Sequence, residues 1–131
     1  VYVKLPVTTT RKEPLFEAEE RVGLLKQALD PLANVEVEAF SGLLVEYVTR
    51  RGADVVRKGL RAVTDFEYEI QMAQMNHQLA GVDTLFTTAS PQWSFLSSSL
   101  VKEVARFGGD VSTLVPPNVA ERLRDRLGGT A

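Results

Sequence analysis

The sequence contains no cysteine. Disulfides and thiolate chemistry are therefore excluded, and a secreted, oxidising setting gains no support. It also lacks an excess of positive charge: 15 Lys and Arg stand against 17 Asp and Glu, a formal net charge of -2. Nucleic-acid binders usually show a strongly basic domain or face, so this balance argues against such a partner. No apolar run approaches the roughly 18 residues of a membrane span. No signal peptide is visible, because the first residues lack a basic stretch followed by a long apolar one. Internal repeats, low-complexity segments and domain linkers are missing too. What remains reads as one cytoplasmic globular domain over residues 1–131, with 44% hydrophobic residues to build a single core. The chain begins with Val1 rather than Met, which suggests a processed or truncated start.

What is present is an alternation of strands and helices. Val1–Val7 is β-rich and reads as a strand, followed by a polar loop, Thr8–Pro14. A helix runs roughly from Glu17 to Leu29, with Val22, Leu25 and Leu29 forming a stripe and Glu17, Glu19 and Glu20 suiting its N-terminal end. Asn34–Glu38 alternates as a short strand. A second helix begins near Ser41 and closes with Arg50, Arg51 and Gly52. Ala53–Arg57 and Val82–Thr88 read as further strands. Ser97–Ala105 starts a helix that Gly108-Gly109 ends, and a last amphipathic helix follows Pro116-Pro117. The fold expected is α/β, a doubly wound parallel sheet. In such sheets ligands bind beyond the carboxyl ends of the strands. The loops Thr8–Lys12, Lys58–Thr64 and Ala89–Ser99 all follow strands, so they are expected at one edge.

The stretch Lys58-Gly59-Leu60-Arg61 leads into the longest helical pattern in the chain. Two cations flank a glycine there, at a helix start with free backbone N–H groups and a positive dipole end. Such a crossing suits phosphates. Thr64-Asp65-Phe66-Glu67 fits a capping box, with Thr64 as N-cap. Further along, Phe66, Ile70, Ala73 and His77 share one helix face, and Tyr68, Met72, Met75 and Leu79 share another. One face should lie on the sheet and the other should meet a partner subunit. The methionines read as packing residues, and His77 as structural or interfacial. Read by themselves, Lys12, Lys58 and Arg61 could be solvated charges, Glu69 a complement to the helix dipole, Ser97–Ser99 an N-cap run, and Trp93 a core or interface residue.

Lys58-Gly59-Leu60-Arg61-Ala62-Val63-Thr64-Asp65-Phe66-Glu67-Tyr68-Glu69 closely resembles bacterial phosphopantetheine adenylyltransferase, as do Trp93-Ser94-Phe95-Leu96-Ser97-Ser98-Ser99-Leu100 and the residues that follow it through Ala105. Glu19-Glu20-Arg21, Phe40–Leu44 and Gly109-Asp110-Val111 extend the match over essentially the whole chain. The resemblance implies a nucleotidyltransferase version of the doubly wound fold. It implies adenylyl transfer from ATP to 4′-phosphopantetheine, giving dephospho-coenzyme A and pyrophosphate, with Mg²⁺ and a homohexameric assembly. Carried over by residue, Lys12, Leu44 and Lys58 would bind phosphopantetheine, Leu44 through its backbone. Gly59, Leu60, Arg61 and Glu69 would bind ATP. Trp93, Ser94, Phe95, Leu96, Ser97, Ser98 and Ser99 would wrap the nucleotide.

One departure stands out. The family's glycine-rich turn after its first strand, ending in Gly-His, has no counterpart in this sequence. The sequence opens at what corresponds to the family's second strand, and no residue here matches the histidine that stabilises the transition state. Two other readings therefore stay open: a non-catalytic remnant that binds nucleotide or pantetheine ligands or only assembles, and a different cytidylyl or adenylyl transferase of the same fold. Adenylyl transfer itself demands little covalent help. Its nucleophile is an ionised phosphate, and catalysis consists mainly of alignment and charge neutralisation. Cations and helix N-termini are the residues such chemistry needs.

Overall fold

A computed structural model describes residues 2–9 and 14–128. In chain order it contains β1 (Val3–Thr8), α1 (Ala18–Ala28), β2 (Val35–Phe40), α2 (Leu44–Arg51), β3 (Val55–Leu60), α3 (Val63–Ala80), β4 (Asp83–Thr88), α4 (Ser98–Arg106) and α5 (Pro117–Leu127). The α/β alternation with parallel strands is as the sequence led one to expect. The described strands pair two by two, β1 with β2 and β3 with β4, both parallel. No helix among the described residues is long and apolar enough to cross a membrane. The chain divides into two compact units, residues 1–41 with 96–131, and residues 42–95.

In the first unit, β1 and β2 run in register from Val3 opposite Val35 to Thr8 opposite Phe40. Val7 and Val37 are buried, as is Leu24 of α1, which packs on both strands. Lys4 and Glu36 sit opposite each other in the register and form an exposed ion pair. A second apolar cluster gathers Val101 and Ala105 of α4, Val111 of the loop after it and Leu123 of α5, with Phe16, Leu96 and Val119 packed around it. Polar contacts tie α5 to α1. Glu20 accepts from Arg122 at 2.9 Å and from Arg126 at 3.0 Å, and Asn118 donates to the Leu24 carbonyl at 3.0 Å. The Arg126 guanidinium also lies 5.4 Å from the Phe16 ring centre, so it contributes packing as well as charge.

The end of α4 shows why two glycines follow it. Gly108 takes a left-handed backbone, φ 79°. Its N–H donates to the Ala105 carbonyl at 3.1 Å, and the Gly109 N–H reaches back to Val104 at 2.9 Å. This double closure satisfies carbonyls that the helix leaves without partners. Immediately beyond it, the Asp110 carboxylate accepts from the Ser112 N–H at 2.9 Å.

The second unit is a β3–α3–β4 crossover with α2 beside it. β3 and β4 pair from Val55 opposite Asp83 to Leu60 opposite Thr88. Helix α3 lies on this sheet, where Phe66 meets Phe86 edge-on with ring centres 5.9 Å apart. Phe66 belongs to the Phe66/Ile70/Ala73/His77 face, so of the two faces the sequence offers it is this one that meets the sheet. The other stripe, Tyr68, Met72, Met75 and Leu79, is exposed. Helix α2 packs on α3 and buries Val45, Tyr47 and Val48. It ends at Gly52, whose left-handed φ of 65° is the stop signal read in the sequence.

Two local expectations need correction. The strand read as ending at Arg57 continues through Leu60, so Lys58 and Gly59 are ladder residues rather than turn residues. Parallel pairing with β4, where Phe86 and Thr87 stand opposite them, carries the strand onward. Thr64 is not the N-cap of α3. That position is Ala62, which is extended and provides no side-chain cap. The acid that reaches back is Asp65, three residues into the helix cap, and it satisfies the Arg61 N–H instead.

Two outcomes follow from the α4 terminus. A side chain at Gly109 would place its Cβ 2.4 Å from Val104 Cγ1 and 3.1 Å from the Val104 carbonyl oxygen. Gly109→Ala should therefore cost about 1–3 kcal/mol in urea unfolding, the range for overpacking a filled site. Asp110 is held below its ordinary pKa of 3.8 by the Ser112 backbone and hydroxyl hydrogen bonds; desolvation opposes them, and the charge of Arg124 adds to them. A lowered folded pKa gives stability that is present above the unfolded pKa, about 3.9, and lost as pH falls through the folded value. Asp110→Asn should lower the melting temperature at neutral pH, and the gap to wild type should close as the buffer is acidified below the carboxylate range.

Candidate functional site

The carboxyl end of β3 and the first turns of α3 bring together four charged side chains. Lys58 sits on the β3 face that α3 covers, and its Nζ is 3.5 Å from Glu69. Arg61 follows the last strand residue. Asp65 accepts from the Arg61 backbone N–H at 3.2 Å, from Nε at 3.2 Å and from Nη2 at 3.4 Å. Asp65 and Glu69 are four residues apart, so they share one helix face and present two carboxylates to two cations. This is why the sequence folds this way locally: the strand end is cationic, the helix start is acidic, and the helix dipole favours acids there.

The resemblance gives Lys58 and Glu69 to different substrates, and the structure brings them into contact with each other. Both are partly exposed, so the pair is worth on the order of 0.2–1 kcal/mol. For Asp65, desolvation pulls the pKa upward. The Arg61 backbone and side-chain hydrogen bonds, its charge and the Ala62 N–H outweigh that, and the net direction is below 3.8. The resemblance gives Asp65 no ligand. The sequence signal for it is an acid four residues after an arginine at a helix start, which the capping pattern at Thr64 overlaps.

Gly59 has an ordinary strand backbone, and a Cβ added there would meet no atom within 4 Å. Neither φ nor packing inside the chain demands glycine at this position. The open space beside it is what a closely approaching ligand would need. Leu60 is half-buried at the strand end. Leu44 is the first residue of α2, in the turn whose N–H groups lack intrahelical acceptors.

The later motif is divided between the two units. Trp93 and Phe95 are both more than a third exposed. The Trp93 N–H donates to the Ser90 carbonyl, and the Ser94 hydroxyl to the Pro91 carbonyl, which together hold a turn. In the other unit, Leu96 packs against the α4–α5 apolar cluster. Ser97 caps α4, accepting from the Leu100 N–H at 3.1 Å, so its hydroxyl has a structural task. Ser98 and Ser99 open the helix and are exposed. Lys12 lies outside the described residues, as does Val1. His77 pairs with Asp83 at 3.2 Å, exposed, near the opposite end of α3 from Lys58 and Arg61. Among the described residues there is no group of three His, Asp or Glu able to hold a metal ion.

A strand-to-helix crossing of this type, with cations, free helix N–H groups and an open glycine, has the features that suit an anion such as a phosphate. Comparison with known proteins supplies the family. A model of the cytidylyltransferase-like family matches residues 1–104. Three relatives carry the name phosphopantetheine adenylyltransferase. The one from Streptomyces coelicolor is 54% identical over 127 residues, covering 97% of this chain and 79% of the relative. Those from Frankia casuarinae and Thermobifida fusca are 58% and 51% identical, over 88% and 90% of this chain and 74% and 72% of the relatives. The chain belongs to the phosphopantetheine adenylyltransferase family.

The charge pairs at this site are solvent-screened and contribute little to folding. Glu69→Gln should shift unfolding free energy by less than about 1 kcal/mol, measured by urea denaturation. A larger loss would show that the Lys58–Glu69 contact holds α3 to the sheet.

Proposed function

We propose that this chain, acting as one nucleotidyltransferase domain, transfers an adenylyl group from ATP to 4′-phosphopantetheine, giving dephospho-coenzyme A and pyrophosphate. The observation that carries this reading is the Lys58–Arg61 crossing, with its open space at Gly59, in a chain more than half identical to relatives of that name. A phosphate oxygen of 4′-phosphopantetheine attacks the α-phosphorus of ATP. The new P–O bond forms as the bond to pyrophosphate breaks. Lys58 and Lys12 hold the acceptor phosphate, and the Leu44 backbone holds the pantetheine arm. Gly59 and Leu60 let the nucleotide lie against the strand end, and Arg61 draws in its phosphates. Glu69 completes the nucleotide site from α3. The resemblance gives Trp93–Ser99 to the nucleotide as well, with Ser98 and Ser99 as residues for its phosphates.

Mg²⁺ is the ion that the resemblance implies. The described residues do not form a carboxylate cluster for it, and the two acids nearest the crossing are engaged with Arg61 and Lys58. Mg²⁺ often keeps few protein ligands and enters on substrate phosphates. In this reading it arrives with ATP, and no step is assigned to it. The exposed Tyr68/Met72/Met75/Leu79 stripe is the face on which copies of the chain would meet, toward a homohexamer, and the site of action is the cytoplasm.

The test is direct. Purified protein mixed with ATP and 4′-phosphopantetheine should release pyrophosphate and form dephospho-coenzyme A, followed by mass spectrometry. Binding of both substrates without turnover would instead select a binding role, and failure to bind either would remove the reading. Lys58→Ala should weaken 4′-phosphopantetheine about tenfold or more by calorimetry, as expected for a lost charge-assisted contact. Gly59→Val should leave the melting temperature nearly unchanged, because its Cβ has open space, while weakening ATP.

A further inference from the structure

Asp65 makes three hydrogen bonds to one residue, Arg61, through its backbone N–H, Nε and Nη2, at 3.2, 3.2 and 3.4 Å. No other acid described at this crossing grips its partner at both main chain and side chain. The consequence is orientational. A guanidinium on a long stem loses considerable rotamer freedom when it meets a phosphate, and a carboxylate that already holds it removes much of that loss. The carboxylate takes part of a fork that has five N–H donors, and the plane of the fork is thereby set relative to the end of β3. The same carboxylate also carries a negative charge into a place suited to phosphates. By charge alone it should weaken binding of an anion. Its two effects therefore have opposite signs, and measurement can tell which prevails.

We propose that Asp65 is a positioning residue for the nucleotide: it presets Arg61, backbone and guanidinium together, to receive the phosphates of ATP. This rests on the reading of Arg61 as an ATP-binding residue. Asp65 makes no contact with the substrate in this role. It acts through Arg61. The geometry favours this over simple charge neutralisation, because neutralisation would not need the main-chain bond. It favours it over helix capping alone, because a cap would not need the two guanidinium bonds.

The test is a double-mutant cycle on the full chain, with ATP and adenosine as probes in calorimetry. Asp65→Asn keeps the shape and can still accept from the Arg61 N–H. It should weaken ATP about tenfold, within the range of coupled neighbours, and change adenosine by less than roughly twofold, because adenosine has no phosphate for Arg61 to hold. In an Arg61→Met background, Asp65→Asn should cost nothing further. Arg61→Lys, which leaves Asp65 in place but loses the fork, should show a similar loss for ATP and serves should Asp65→Asn fold poorly. Unchanged or tighter ATP binding by Asp65→Asn would overturn the proposal in favour of charge neutralisation. An equal loss in both backgrounds, or for ATP and adenosine alike, would overturn it in favour of a structural role. If Arg61→Met itself leaves ATP affinity intact, the assignment of Arg61 fails, and the role of Asp65 with it.

Discussion

The parallel register of β3 with β4 is the constraint on which the candidate site depends. Pairing continues to Leu60 opposite Thr88, so the strand does not release the chain until Arg61. Lys58 therefore faces α3, and Gly59, the next residue, faces the other way. A slip of one residue would exchange them. Because parallel strands need a crossover, the chain must then turn into α3 at once, and this brings the acidic first turns of the helix up to the cationic strand end. Phe66 against Phe86 sets how the helix lies on the sheet, and Asp65 and Glu69 follow from that placement.

The stabilising and the site-building parts of the chain are largely different residues. In the first unit, the α4–α5 apolar cluster and the Glu20 contacts with Arg122 and Arg126 hold the helices. The glycine pair after α4 is shaped by backbone geometry. Around the β3–α3 crossing, by contrast, side chains are half-exposed and charged, and their pairs are weak in water. They can be exchanged for ligand contacts at low cost. Ser97 and Leu96 show that the boundary is not sharp. They stand in the resemblance's nucleotide-binding stretch, yet one caps a helix and the other packs a core.

Much of this was legible in the chain itself. Hydrophobic patterning placed the four strands and five helices of the described residues, because periodicity reports local structure that packing then keeps. Gly52 and Gly108-Gly109 marked helix ends, since few other residues adopt the left-handed backbone those ends require. The site region was legible as Lys58–Arg61 followed by acids. Three features were not. The strand's continuation to Leu60 depends on hydrogen bonds from β4, more than twenty residues away. The N-cap at Ala62 depends on where that strand releases the chain, so the Thr64 capping pattern was a local preference that lost. The pairing of Lys58 with Glu69 requires the helix to fold back along the strand.

The sequence by itself determined the kinds of residue available: cations around a glycine, acids in a helix start, and one apolar helix stripe for a sheet. These are properties of composition and spacing. Tertiary structure decided that Lys58 meets Glu69 and that Gly59 has open space beside it. Those outcomes depend on distances between segments that only pairing and packing set, and no spacing along the chain encodes them.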